Sequence, residues 1–132
     1  MYDDMMRGVN GLLRKMNPPL RTKYMQEYML QALFDRRINW IETDHAPHIR
    51  KEKLNEPYAS GVPVFHYYPR FIKFLREKGM SEEQIDDLTH NNIEKAFGIN
   101  VKNTRRAGTQ TDEELESLSK EYEFDAFKKI MA

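Results

Sequence analysis

An acid and two imidazoles follow an apolar run near the middle of the chain. The run is residues 38–41, and Asp44, His45 and His48 come directly after it. Enzymes built from parallel strands commonly place metal ligands and acid/base groups where a strand ends. These side chains could therefore hold a metal ion or move a proton between reacting atoms.

The composition limits the metal ligands and the binding partners that the chain can have. None of the 132 residues is Cys, so thiolate metal sites and disulfides are excluded, and any metal would need His, Asp or Glu. Lys and Arg number 21, as do Asp and Glu, so no net charge attracts nucleic acid or an anionic membrane surface. No apolar run approaches the ~20 residues of a membrane helix. A cytoplasmic protein with a small-molecule or protein partner is predicted.

The elements around the polar cluster are a helix and a strand. Thr22 can cap a helix over 23–35, where apolar residues recur at spacings of three and four (Met25, Met29, Ala32 and Leu33). Residues 38–43 have few polar side chains, which is typical of a strand covered on both faces in a parallel sheet. The segment 49–63 is charged and then rich in Pro, Ser and Gly, which predicts a long loop.

Helical periodicity returns in the second half. It predicts a helix over 65–78 that stops at Gly79. Ser81 and Gln84 form a capping box for a helix over 82–89. A short helix over 92–97 ends at Gly98, and an acidic helix over 112–122 follows a linker.

Four sequence blocks carry a family resemblance. They are Lys-Met-Asn-Pro-Pro-Leu-Arg at 15–21, Glu-Thr-Asp-His-Ala-Pro-His at 42–48, Ser-Gly-Val-Pro at 60–63 and Asn-Asn-Ile-Glu-Lys-Ala-Phe-Gly-Ile at 91–99. In this order they resemble the closing third of a dihydroorotase of the amidohydrolase superfamily. The resemblance covers about residues 9–101.

The resemblance implies an α/β fold. Residues 1–101 would be the C-terminal portion of a (β/α)₈ TIM-type barrel, mostly helical with one or two short parallel strands. Residues 102–132 would be a linker and a helical tail. The family interconverts N-carbamoyl-L-aspartate and dihydroorotate in pyrimidine biosynthesis, with zinc at the C-terminal ends of the strands.

The resemblance also implies roles for individual residues. Asp44 would be a metal ligand that shuttles a proton between the attacking water and the ring nitrogen. Asn17 and His48 would hold the substrate carboxylate, and the backbone near Gly61 would contact the ring amide. His45 receives no role. Amide hydrolysis needs such a positioned carboxylate, so the chemistry agrees with the assignment of Asp44.

The family's remaining metal ligands are missing from this sequence. The resemblance implies a His-x-His pair, a modified lysine and two further histidines on earlier strands, and the chain begins after them. Since zinc needs about three protein ligands, the isolated chain is expected to be inactive. Exposed strand edges predict a second polypeptide that supplies the earlier strands, or self-association. Val64 also stands where relatives usually have glycine.

Other interpretations remain open at this stage. Asp44 and Asn17 could simply form turns, and His48 could be a surface loop residue. The chain could be a non-catalytic remnant or interaction module derived from an amidohydrolase. It could also be a fragment of another cyclic-amide hydrolase, because residues 74–79 resemble the last barrel helix of several superfamily members, although the Asn-Pro-Pro block weighs against this.

Overall fold

Helices dominate the part of the chain that the computed structural model describes, which is residues 8–61, 64–100 and 108–125. In chain order they are α1 (Gly8–Leu13), α2 (Lys23–Phe34), α3 (Arg50–Leu54), α4 (Tyr67–Glu77), α5 (Glu82–Asp86), a π-helical turn (Asp87–Asn91), α6 (Asn92–Phe97) and α7 (Asp112–Ser119). The predicted helical character is confirmed in part, since helices are the main regular structure of the described residues. None of these helices has the length and apolar character needed to cross a bilayer.

Local capping signals set several helix ends as predicted. The Thr22 hydroxyl accepts a hydrogen bond from the Met25 amide (3.4 Å), which begins α2. The Ser81 hydroxyl accepts one from the Gln84 amide (3.2 Å) at the start of α5. Gly98 ends α6 with a left-handed φ of 63°. These ends depend on residues close in sequence, so the sequence alone could locate them.

The predicted strand at 38–43 is wrong for the described chain. These residues lie in no helix or strand, and among the described residues only His45 has a β-bridge. A strand exists through hydrogen bonds to a neighbouring strand. Here the Ile41 amide instead donates to the Leu88 carbonyl in the π-helical turn (3.1 Å).

Two further boundaries differ from the predictions. The predicted loop at 49–63 contains α3, a single helical turn. The predicted helix at 82–89 ends early, because α5 gives way to the π-helical turn. The Thr89 hydroxyl donates to the Ile85 carbonyl (2.8 Å), a side-chain bond that competes with regular helical bonding.

The core lies between α2, α4 and α5. Ile72 and Leu75 of α4 and Ile85 of α5 have no exposed surface. The other buried members of this cluster are Leu33, Met80 and Leu88. Burying an aliphatic side chain of this size stabilises a fold by about 1.5–3 kcal/mol, so this cluster is the main source of stability.

The predicted apolar stripe of α2 is buried over only part of its length. Ala32 and Leu33, in the last turn, are buried in the core. Met29 lies about one turn earlier and is 52% exposed, and Met25 lies about two turns earlier and is 44% exposed. The described chain therefore covers only the C-terminal end of this stripe.

The segment 108–125 packs against α4. Leu115 of α7 is 1% exposed. The Phe65 amide donates to the Tyr122 hydroxyl (2.9 Å), and the Arg76 guanidinium donates to the Gly108 carbonyl (2.6 Å). α7 ends at Ser119, three residues before the predicted end. Most of the predicted linker between residue 102 and the helix at 112 lies outside the described residues.

A buried histidine holds the segment 108–125 in place through a hydrogen bond to its last residue. His66 is 2% exposed, and its Nε2 lies 3.0 Å from an Asp125 carboxylate oxygen. The Tyr67 hydroxyl donates to the other oxygen of Asp125 (2.6 Å). Burial lowers the pKa of His66 below its ordinary value of 6.5, although Asp125 opposes the shift.

This shift predicts a pH dependence of stability. The unfolded chain binds a proton at His66 more readily than the folded chain does, so stability is fully present above about pH 6.5 and falls on acidification. We expect the urea midpoint to decrease between pH 7.5 and 5.5, and His66→Gln to remove part of that decrease. His90→Gln, at a partly exposed position, is the control. An unchanged pH profile in His66→Gln would contradict the prediction.

Candidate functional site

Three of the four sequence blocks meet at Gly61. The Gly61 amide donates to the Lys15 carbonyl (3.2 Å). A Cβ on Gly61 would lie 2.6 Å from the Ala46 Cβ and 3.4 Å from the Asp44 carbonyl oxygen. We call the backbones of Lys15, Asp44, Ala46 and Gly61 the Gly61 junction. It forms because glycine permits both this close approach and a φ of +111°.

The fourth block contacts the segment that leads into the polar cluster. The Asn92 side chain donates to the Asn39 carbonyl (2.9 Å). The rings of Trp40 and Phe97 lie 6.0 Å apart in a tilted arrangement. All four blocks therefore belong to one connected region of the molecule.

Asp44 lies at a sharp turn of the backbone. Its φ is 47°, in the left-handed region, and its side chain is exposed. Asp is among the few residues that tolerate this conformation, because its short polar side chain can bond locally. Strained backbone of this kind is often found at functional sites.

The two histidines of the cluster have different surroundings. The His48 amide donates to the Ala46 carbonyl (2.8 Å), and its Nδ1 lies 3.3 Å from a Glu52 carboxylate oxygen. His45 is exposed, and its ring contacts Phe65 edge-on at 5.6 Å. His48 is thus held by α3, whereas His45 packs against an aromatic ring.

Asn17 is exposed and lies two residues after Lys15, whose carbonyl belongs to the Gly61 junction. Among the residues that the structure describes, no direct hydrogen bond joins the side chains of Asn17, Asp44 and His48. The structure therefore brings together the segments that carry these residues. Their individual roles, and that of Gly61, stay predictions.

Lys53 is a site residue that the sequence did not single out. It has no exposed surface, and its ammonium group donates to the carbonyls of Lys15 (2.7 Å) and Gly61 (2.8 Å). Burial lowers the pKa of Lys53 below its ordinary value, as does the nearby charge of Lys15, while the Asp44 carboxylate opposes the shift. In the sequence it sits in a charged run, Arg-Lys-Glu-Lys, that is typical of a solvated helix.

The described residues do not fit a complete zinc site. Within 8–61, 64–100 and 108–125, no three His, Asp or Glu side chains are grouped so that they could hold a metal ion. A charged group that interacts with Asp44 is the Lys53 ammonium. A protonated lysine has no acceptor atom, so it cannot bind a metal ion as a second ligand. Zinc requires about three protein ligands, so Asp44 could contribute only one of them.

A groove runs along α3 beside His48. Its volume is about 530 Å³, and it is lined by His48, Ile49, Lys51, Glu52, Asn55, Glu56, Pro57 and Ala59. Both signs of charge line it, so its electrostatics do not select an anion.

Comparison with curated proteins identifies relatives of this sequence. A dihydroorotase of Halobacterium salinarum is 36% identical over 105 residues, which cover 77% of this chain and 25% of the relative. A dihydroorotase of Lactobacillus gasseri is 37% identical over 105 residues, covering 74% and 24%. One of Acetivibrio thermocellus is 36% identical over 120 residues, covering 88% and 28%.

The chain is dihydroorotase-like. It spans about a quarter of the length of the curated relatives that it matches. No protein-family model matches it. No solved structure matches it with significance. The resemblance carried by the four sequence blocks is therefore confirmed by overall identity with named dihydroorotases.

The Gly61 junction of this dihydroorotase-like chain predicts a large effect of Gly61→Ala. The added Cβ would clash with Ala46, and alanine disfavours a φ of +111°. We expect the free energy of unfolding, measured by urea denaturation, to fall by more than about 1 kcal/mol.

Gly79→Ala is the matched control for this substitution. Gly79 also has a positive φ, +91°, but a Cβ added there would meet nothing within 4 Å. The loss of stability in Gly79→Ala therefore measures only the cost of placing alanine at a positive φ, about 1 kcal/mol. Equal losses in the two variants would show that the close approach at Gly61 is unimportant.

Proposed function

We propose that this chain supplies the closing part of a (β/α)₈ barrel that acts as a dihydroorotase, hydrolysing a cyclic amide in pyrimidine biosynthesis. The observation that carries the proposal is the convergence of the four sequence blocks. Three of them meet at the Gly61 junction, and the fourth contacts the segment before Asp44.

Asp44 is the proposed acid/base group. In the hydrolytic direction its carboxylate accepts a proton from the attacking water as the carbon–oxygen bond forms. It then gives that proton to the ring nitrogen as the carbon–nitrogen bond breaks. Dihydroorotate and water thereby yield N-carbamoyl-L-aspartate, and the reverse sequence closes the ring. A single carboxylate can perform both transfers when it lies within hydrogen-bonding reach of each atom.

Asn17, His48 and Gly61 are the proposed substrate-binding residues. The amide of Asn17 and the imidazole of His48 can each donate a hydrogen bond to the substrate carboxylate. The loop backbone near Gly61 contacts the ring amide. The exposed position of Asn17 and the partial burial of His48 leave both accessible to a ligand.

Zinc is the metal implied by the family resemblance, and it would polarise the substrate carbonyl and acidify the attacking water. This chain offers Asp44 as one ligand. In this proposal the other ligands come from further barrel strands, on a second polypeptide or on a longer form of the protein. A small molecule is the proposed substrate.

A chimera tests the proposal. The matching quarter of the Halobacterium salinarum dihydroorotase is replaced by the corresponding residues of this chain, and hydrolysis of dihydroorotate is measured. We expect turnover by the chimera, none by the host protein lacking that quarter, and none by the metal-loaded 132-residue chain.

Three outcomes would contradict the proposal. A folded but inactive chimera would indicate a non-catalytic remnant. Hydrolysis of hydantoin or a lactone in place of dihydroorotate would indicate a different cyclic-amide hydrolase. Turnover by the 132-residue chain alone would show that no further strands are needed.

A further inference from the structure

We infer that Lys53 is a positioning residue, which fixes the segment carrying Asn17 against the Gly61 loop. The inference deepens the proposed function and rests on it, since Asn17 and Gly61 are proposed there to bind substrate. Lys53 itself is completely buried and acts through the two backbones that it holds.

The geometry is a three-way clamp. The Lys53 ammonium donates to the carbonyls of Lys15 (2.7 Å) and Gly61 (2.8 Å). The Gly61 amide donates to the same Lys15 carbonyl (3.2 Å). One buried cation thus joins two loops that are far apart in sequence, and it does so at the Gly61 junction.

A second set of contacts ties the same loop to α3. The Ala59 amide donates to the Glu52 carbonyl (3.0 Å). The Lys15 side chain donates to the carbonyls of Pro57 (3.4 Å) and Tyr58. The loop before Gly61 is therefore held by the α3 backbone and by the Lys15 side chain, in addition to Lys53.

The charge of Lys53 indicates that this residue does more than fill space in the core. A buried ammonium group is costly, and a methionine of similar size would fill the space without that cost. The cation is instead satisfied by two carbonyls and lies within electrostatic reach of Asp44. A group that only filled the core would need neither the donors nor the charge.

Hydrogen exchange on the 132-residue chain tests the clamp without any assay of activity. We compare Lys53→Met with Lys51→Met, the same change at an exposed position of α3. We expect the Gly61 amide to exchange at least about tenfold faster in Lys53→Met, with the amides of α4 unchanged and no effect of Lys51→Met. An unchanged Gly61 amide, or equal acceleration throughout α4, would overturn the inference.

Kinetics of the active chimera test the consequence for substrate binding. Lys53→Met is expected to raise KM by about tenfold or more with a smaller change in kcat, because it loosens binding segments. If Lys53 acts through the Asn17 segment, Lys53→Met should raise KM much less when Asn17 has already been replaced by alanine. Additive effects, or an unchanged KM, would overturn the inference.

The two proposals fail in different ways. An inactive wild-type chimera refutes the proposed function, while exchange at Gly61 still decides whether Lys53 holds the two loops. If Lys53→Met does not fold, Lys53→Arg decides instead, because it keeps a cation and several donors. We expect Lys53→Arg to protect Gly61 partly, and exchange as fast as in the unfolded chain would overturn the inference.

Discussion

Replacing Asp44 by asparagine in the active chimera is expected to lower kcat for dihydroorotate hydrolysis by about 10²–10⁴-fold. An amide has nearly the shape of a carboxylate but cannot accept and return the proton. Asparagine also tolerates the left-handed φ of 47° at this position, so the turn should survive. The measurement is steady-state kinetics, with the urea midpoint checked for each variant.

Glu42→Gln is the control for Asp44→Asn. Glu42 lies two residues earlier, is exposed, and accepts a hydrogen bond from the Trp40 indole nitrogen (3.0 Å). The same loss of a carboxylate there should leave kcat unchanged. If Asp44→Asn kept more than about a tenth of the activity, a proton-transfer role for Asp44 would be excluded.

Replacing Leu75 by alanine is expected to cause the largest loss of stability. Leu75 of α4 has no exposed surface and belongs to the central cluster of the core. Truncating a buried leucine costs about 2–5 kcal/mol through lost burial and the cavity that remains. A domain of this size has only about 5–15 kcal/mol of stability, so the variant should be close to unfolding. Urea denaturation followed by circular dichroism measures the change.

Met29→Ala is the control for the core substitution. Met29 is 52% exposed on α2, and truncating it should change the free energy of unfolding by less than about 0.5 kcal/mol. A loss below about 1 kcal/mol for Leu75→Ala would show that the described core does not hold the chain together.

Signals confined to neighbouring residues were sufficient to predict α2 and α4 to α7, but not α1 or α3. Thr22 and Ser81 cap α2 and α5, and Gly98 ends α6, because each acts on the backbone only a few residues away. The end of the predicted helix at 82–89 could not be predicted in this way. It coincides with the hydrogen bond from the Thr89 hydroxyl to the Ile85 carbonyl, a side-chain bond of the kind that often bends helices.

The sequence could also locate the blocks that carry chemistry, but not their contacts. The segment 42–48 is recognisable from its residue types alone. Lys53 is not, because a lysine in a charged run is normally solvated. Its burial follows from the fold of the loop before Gly61 around α3, which no local pattern encodes.

The sequence by itself determined most of the helices, the polar cluster and the likeness to dihydroorotases, since these are properties of residue type and spacing. Tertiary structure decided that residues 38–43 pair with no described strand, that Met25 and Met29 are exposed, and that Lys53 joins two distant loops. The physical reason is the range of the interactions. Caps and periodicity act within a turn of helix, whereas strand pairing, burial and a buried cation require partners that only the folded chain brings near.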